Sequence, residues 1–437
     1  MPSNQQENEI YDSTPFTMKE AIAEAQRCLH CKKPMCRTGC PIENEIPDFI
    51  HQLSKGNLGE ARNILAEKTN LPAVCGRVCP HETQCEGHCV LGKKGQPIRI
   101  GKLEQFIADF DADMGLTREN IPPKTRGNVA VIGSGPAGLT VSGDLAHMGF
   151  NVTVFEGEEE PGGVLLYGIP EFRLPKEVVR RETKRISELG VKYVCNTFVG
   201  RDITIDQLFE QGYDAIFIGT GTAISKELNI PGKELTGVLQ SHYFLRMVAL
   251  YKNGSLDRHE VPITEDDHVL VIGAGNVAMD ACRTAMRMGA KSVTVVYRKG
   301  MENMSAAQVE YEGAVADGVK FMWNTTPVEY VGEDGILTGL KVSVNDTELI
   351  VPCNKVLVAI GSKPAKLIIS TTKGIEVNDN GYVITKQKPY GMTTLKGVFA
   401  GGDVVHQPAT VVLAMKEAKK VVEGIASYVD AVKLLEL

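Results

Sequence analysis

Short runs of aliphatic residues recur along this chain, each ending in a glycine turn and followed by a helix-period pattern. The first is Val129-Ala130-Val131-Ile132, then Gly133-Ser134-Gly135-Pro136-Ala137-Gly138. The second is Val269-Leu270-Val271-Ile272, then Gly273-Ala274-Gly275-Asn276-Val277-Ala278, about 140 residues on. A short apolar run bounded by glycine reads as a strand buried on both faces. Each copy has a second strand after its helix, Val152 to Phe155 and Val293 to Tyr297. Each also has a later buried run closing in glycine. These are Asp214 to Ile218 before Gly219-Thr220-Gly221, and Val356 to Ile360 before Gly361. A last run, Val398-Phe399-Ala400, meets Gly401-Gly402-Asp403, and Thr410 opens a helix. A strand–turn–helix unit used twice predicts an internally duplicated α/β fold with parallel sheets.

The first hundred residues follow a different rule. Thr17-Met18-Lys19-Glu20 reads as a capping box, opening a helix that ends near Cys28. Ile46, Phe49, Ile50 and Leu53, then Leu58, Ala61, Ile64 and Leu65, recur at helical spacing, and Leu103 and Phe106 face the core of a further helix. Asp111 to Asn128 is polar, contains Pro122-Pro123 and Gly127, and reads as a linker. Pro161 to Pro175 is dense in glycine and proline and reads as a loop without regular helix or strand.

Composition narrows the classes. The chain has 437 residues, 43% hydrophobic and 23% charged, with a formal charge of −7. That balance argues against nucleic acid as the main partner. No apolar run reaches the ~18 residues that would span a bilayer. The polar, acidic stretch Met1 to Ile10 carries no export signal, so the expected compartment is the cytoplasm. Of eleven cysteines, eight lie between Cys28 and Cys89. In such a context a cluster of thiols more often binds metal than forms disulfides. The runs are Cys28-x2-Cys31-x4-Cys36-x3-Cys40-Pro41 and Cys75-x3-Cys79-Pro80-x4-Cys85-x3-Cys89. Tight thiolate groups ending in Cys-Pro suit two 4Fe–4S clusters. Two zinc sites are the alternative, although structural zinc uses paired knuckles and only one Cys-x2-Cys pair occurs here. Lys32, Lys33, Arg37, Lys93, Lys94, Arg99 and Lys102 make this end locally basic. A solvated surface is the simpler account, and a docking face for an acidic electron carrier the sharper one.

The glycine turns carry the remaining chemistry. Gly133 permits the bend, Gly135 a close backbone approach to a pyrophosphate, and Gly138 close helix–strand packing, with Ser134, Pro136 and Ala137 between them. Glu156 closes the next strand at about the expected spacing of ~20 residues, where a carboxylate accepts from ribose hydroxyls. The expected ligand is FAD. Gly163 and Arg173 would lie along it, the Thr220-Gly221 turn would approach it, and Gly402-Asp403 would reach the ribityl chain. Arg173 could equally form an ordinary salt bridge. The helix opening at Thr410 would favour an anionic reduced ring. At the second turn, Gly273, Gly275, Asn276 and Val277 repeat the signal. Arg298-Lys299 stands where an NAD site would carry an acid, so the expected ligand is NADPH. Ala359, Ile360 and Gly361 would close that site. Cys195, Cys282 and Cys353 are widely separated, so the flavin has no thiol pair as an outlet and the cysteine-rich region is the natural exit.

These combined motifs resemble the family of small, NADPH-oxidising glutamate synthase subunits, over about residues 17 to 425. They are similar also to the large subunit of bifurcating ferredoxin–NADP transhydrogenases and to the N-terminal half of dihydropyrimidine dehydrogenase. The resemblance implies an α-helical iron–sulfur domain over 1–125, followed by two Rossmann-like nucleotide-binding domains. The FAD domain would be discontinuous, at 126–260 and 388–437, with an NADPH domain inserted at 261–387. It implies one cluster on Cys28, Cys31, Cys36 and Cys89, and another on Cys40, Cys79, Cys85 and Glu104, leaving Cys75 in question. Lys299 stands where many members have a second Arg, and Ser305 where many have Pro. Pro2 follows Met1, so an N-terminal amidotransferase nucleophile is not expected on this chain, and such chemistry would belong to a partner. The implied function is hydride transfer from NADPH to FAD, then single electrons through the clusters to a larger subunit, the glutamate synthase large chain. An electron-bifurcating or ferredoxin-linked complex is the alternative.

Overall fold

The computed structural model describes residues 15–116 and 121–435. The polar N-terminal stretch and residues 117–120 of the predicted linker lie outside them. The chain forms two compact units. One comprises Pro15–Leu166, Glu171–Ala223 and the chain from Lys363 onward, and the other Ile224–Ser362 with Tyr167–Pro170.

The first unit opens with α1 (Met18–Gln26), α2 (Met35–Gly39), α3 (Ile46–Ser54), α4 (Leu58–Ala66), α5 (Pro72–Val78) and α6 (Ile100–Met114). The Thr17 hydroxyl and the Glu20 carboxylate accept each other's backbone amides, as the capping box requires. The apolar pattern from 46 to 65 is two helices, because Gly56 turns the chain at φ +78°. Phe49, Leu53, Leu65 and Leu103 are fully buried in one core, against which Cys28, Cys36, Cys40 and Cys89 pack. Helix α6 extends to Met114 and ends at left-handed Gly115, so the polar stretch from Asp111 begins as helix rather than linker. Buried Arg62 holds Asp111 at 2.9 Å, which gives a polar residue a place on the inner face.

Next come β1 (Asn128–Ile132), α7 (Pro136–His147), β2 (Asn151–Phe155), α8 (Val164–Tyr167), α9 (Lys176–Glu188), β3 (Lys192–Val194), α10 (Ile205–Glu210) and β4 (Ala215–Ile218). The stretch predicted as a plain loop therefore contains one helical turn, α8. Val164 to Tyr167 holds no glycine or proline, and Leu165, Leu166 and Tyr167 are buried.

The second unit contains β5 (Ile224–Ser225), β6 (Val238–Gln240), α11 (Ser241–Lys252), β7 (His268–Ile272), α12 (Asn276–Arg287), β8 (Ser292–Val296), α13 (Gln308–Ala316) and β9 (Lys320–Met322). Strands β10 (Thr325–Glu333), β11 (Ile336–Val344) and β12 (Thr347–Pro352) form an antiparallel sheet, before β13 (Lys355–Val358) and β14 (Ser362–Lys363). The first unit then resumes with α14 (Leu367–Thr371), β15 (Thr385–Gln387), β16 (Tyr390–Thr393), β17 (Val398–Ala400) and α15 (Val411–Leu435).

The two main sheets repeat one another. The larger runs β15-β16-β17-β4-β1-β2-β3, and the smaller β6-β13-β7-β8-β9. The four strands around each glycine turn, β4-β1-β2-β3 and β13-β7-β8-β9, are parallel in both. Duplication is thus visible in strand order as well as in the turns.

The predicted boundaries move. The inserted unit starts at Ile224 rather than Val261, because β6 pairs with β13 and Phe244 and Leu245 of α11 enter its core. It ends at Ser362 rather than Gln387, because β15 and β16 belong to the larger sheet. The cysteine-bearing helices do not form a unit of their own. Arg77 of α5 and Arg181 of α9 both bind Asp109 of α6 at 2.7 Å. The Asn70 side-chain amide donates to Asp144 of α7 at 2.8 Å, in space that exists only because Gly143 lacks a Cβ. Among the described residues no helix is long and apolar enough to cross a membrane.

Candidate nucleotide and cluster sites

The first glycine turn is built from backbone contacts that a side chain would prevent. Gly133 has φ +93°, and a Cβ there would lie 2.8 Å from the Gly219 carbonyl oxygen. A Cβ on Gly138 would lie 1.9 Å from the Gly133 oxygen, so α7 can start only with glycine at this position. The other expected FAD residues converge on the same turn. A Cβ on Gly163 would stand 2.8 Å from Gly135 Cα, and one on Gly402 2.8 Å from Ala137 Cβ. Thr220 follows Gly219 against Gly133, and Gly221 takes φ +61°. Strands β1, β4 and β17 end here side by side. Asp403 lies in the turn after β17, where burial raises its carboxyl to about 6. Thr410 caps α15, its hydroxyl accepting from the Leu413 amide at 3.4 Å.

Two placements differ from a simple ribose-and-phosphate picture. Glu156 is buried, and one of its oxygens accepts from both the Ser134 amide, at 2.9 Å, and the Ser134 hydroxyl. The other accepts from the Glu158 amide at 2.9 Å. Glu156 therefore braces the turn itself, and only its remaining lone pairs would be left for a ribose. Arg173 is already engaged within the protein. Sequence reading missed the Ser134–Glu156 bond, although a hydroxyl between the first two glycines is the local signal for it.

The second turn repeats this construction. Gly273 has φ +129°, and its Cβ would lie 2.3 Å from the Ala359 carbonyl oxygen, as Gly133 would meet Gly219. Ile360 and Gly361 continue beyond Ala359, with Gly361 at φ +99°. Asn276 and Val277 begin α12, whose N-cap is Gly275, so their amides receive no side-chain cap. Arg298 and Lys299 follow β8 and are exposed. Among the described residues neither makes an ion pair.

The cysteines fall into two groups. Cys28 lies within electrostatic reach of Cys31 and Cys89, and Cys36 of Cys28 and Cys89. These four line a pocket whose rim carries Leu29 and Met35. Cys40, Cys75, Cys79 and Cys85 form the second group, with Glu104 facing three of them. Burial pushes the thiols of Cys36 and Cys40 up to about 11. Cys79 is raised further, first by its hydrogen bond with Cys75, and Cys85 by burial. Such thiols become ligands only when a metal displaces the proton.

The donor set fits clusters rather than zinc. Zinc at ~2.3 Å from each sulfur would bring its ligands within ~3.8 Å of one another. Among the described residues no three cysteine sulfurs lie within 4.8 Å of one another. The second group also contains an orphan. Glu104 Oε1 is buried without a hydrogen-bond partner, and burial raises the carboxyl to about 8. A buried carboxylate is costly unless a cation or metal meets it. Cys75, by contrast, has other contacts, with Thr69 Oγ1 at 3.9 Å and Met415 Sδ at 3.8 Å. The structure thus brings both Cys75 and Glu104 to the second group, and the carboxylate is the one without a partner.

The three remaining cysteines are free, and Cys195, expected to be buried, is only half-buried. Cys282 and Cys353 are buried, and burial raises Cys353 to about 12 and Cys282 higher still. Cys195 is raised as well.

Comparison with known proteins agrees with this arrangement. Residues 4–116 match the family described as dihydropyrimidine dehydrogenase domain II, 4Fe-4S cluster. Residues 127–418 match the pyridine nucleotide-disulphide oxidoreductases. The glutamate synthase [NADPH] small chain of Halomonas elongata is 37% identical, over 97% of this chain and 93% of that one. The NAD-dependent dihydropyrimidine dehydrogenase subunit PreT of Escherichia coli is 34% identical, over 97% and 98%. The crystal structure of Lactococcus lactis thioredoxin reductase shares the fold at 21% identity, with a TM-score of 0.55 over 71% of this chain and all of that one. The chain therefore belongs to the pyridine nucleotide-disulphide oxidoreductases, in the group that carries an N-terminal 4Fe–4S domain and includes the glutamate synthase small chains, and it is an NAD(P)H-dependent FAD oxidoreductase.

Proposed function

We propose that this chain oxidises NADPH and delivers the electrons to a larger partner subunit, the large chain of a glutamate synthase. FAD, when bound, accepts a hydride as an electron pair and releases single electrons to 4Fe–4S clusters. The protein's part is to hold, orient and insulate. Gly133 to Gly138, Glu156, Gly163, Arg173, Thr220, Gly221, Gly402, Asp403 and Thr410 would hold FAD on the larger sheet. Gly273 to Val277, Arg298, Lys299 and Ala359 to Gly361 would hold NADPH on the inserted unit. Cys28, Cys31, Cys36 and Cys89 would carry one cluster, and Cys40, Cys79, Cys85 and Glu104 the other.

The observation that carries this reading is the shared unit. The cysteine helices are tied to α7 and α9 of the flavin sheet through the Asn70–Asp144 bond and the Asp109–Arg181 ion pair. The other cysteines offer no thiol pair. Arg298 and Lys299 favour the phosphorylated coenzyme. The glutamate synthase partner is preferred because the 37% relative carries that name over nearly its whole length. No observation separately favours a bifurcating complex.

Mixing the FAD-loaded protein with NADPH under anaerobic conditions should bleach the flavin's visible band, and NADH should do so more slowly at equal concentration. A FAD-loaded, folded protein whose flavin stays oxidised with both coenzymes would refute the reading.

A further inference from the structure

The segment from Gly300 to Ala307 folds back over the second glycine turn and is held at its middle and at its far end. Near β8, the Tyr297 hydroxyl donates to the Asn303 carbonyl at 3.0 Å. At the far end, the amides of Ser305 and Ala306 both donate to the Ala274 carbonyl, at 3.2 and 3.1 Å. The Ala307 amide donates to Asn276 Oδ1 at 3.0 Å. Ala274 is the middle residue of the turn and Asn276 is the first of α12. Three bonds thus clamp the segment to the residues that would receive a pyrophosphate.

The clamp leaves Ser305 overhanging Gly275. Its Oγ would stand 3.3 Å from a Cβ on that glycine. Ser305 is exposed, and among the described residues its hydroxyl reaches only the Ala274 carbonyl, at 3.5 Å, the outer limit of a hydrogen bond. Its proton is therefore available to a better acceptor. A pyrophosphate at this turn would receive the uncapped amides of α12 on one side. A donor above Gly275 would meet it on the other.

We infer that the Ser305 hydroxyl donates to the coenzyme's pyrophosphate, held there by the clamp on Ala274 and Asn276. This rests on the inserted unit being the NADPH site. The pyrophosphate is common to both coenzymes, whereas the 2′-phosphate belongs to NADPH alone. Ser305 and Arg298 therefore have different signatures. Ser305 adds affinity without choosing, and Arg298, beyond the end of the neighbouring strand β8, chooses.

Calorimetric titration of the full-length, FAD-loaded protein with NADP+ and NAD+ tests this without turnover. Ser305→Ala should weaken both coenzymes by the same factor, about tenfold, as expected for a lost hydrogen bond to a charged group. Ser305→Thr, which keeps the hydroxyl, should restore both. Ser305→Ala binding both coenzymes like wild type would overturn the inference, and so would a loss confined to NADP+. Wild-type protein that binds neither coenzyme would instead remove the NADPH-site reading on which the inference stands.

Discussion

Replacing Cys28 with serine should abolish electron delivery to the large subunit and leave NADPH-driven reduction of a flavin-level dye intact. Cys28 lies among the four cysteines that line the partly open pocket. A serine oxygen is a harder and more weakly held ligand for iron than a thiolate. The cluster there should be lost or altered, and delivery should fall to background. The flavin elements should survive, because among the described residues the Cys28 amide bonds the Ala25 carbonyl of α1 and not the first turn, the Gly402 return or α15. FAD content and dye reduction are measured on the same preparation, beside assay of the complex with its large subunit. Loss of dye reduction in a folded, FAD-loaded variant would mean that the clusters are not downstream of the flavin.

Arg298→Ala should weaken NADPH by ~10–100-fold and NADH hardly at all, the loss of charge-assisted hydrogen bonds worth ~1.5–3 kcal/mol. Arg298 is exposed, and among the described residues it has no ion pair to lose, so the fold should not suffer. Lys299 beside it supplies a point charge without the planar fork of a guanidinium, so some preference for NADPH should persist. Dissociation constants for both coenzymes decide the matter. Equal weakening would show that Arg298 does not read the 2′-phosphate.

Much of this was legible in the residues because the signals are local. A glycine turn between an apolar run and a helix fixes its own geometry, and both copies form the strand, turn and helix that the pattern predicts. The capping box at Thr17 is equally local. What escaped depends on distant partners. Asp111 lies inside α6, its carboxylate held by Arg62, 49 residues away. The cysteine helices join the flavin sheet through Asn70, Gly143 and Asp109, none of which carries a motif. The boundary at Ile224 follows from the pairing of β6 with β13, more than a hundred residues later. Glu104 shows both sides of the matter. A carboxylate between Leu103 and Phe106 is conspicuous in an apolar pattern, but only the fold shows it facing Cys40, Cys79 and Cys85.

This oxidoreductase is expected to hand its electrons to iron–sulfur clusters built from two cysteine groups. Elemental analysis of protein purified without oxygen tests it most directly. Two 4Fe–4S clusters require about eight iron atoms per chain, with matching acid-labile sulfide and one FAD. Iron near zero with stoichiometric zinc would contradict the account.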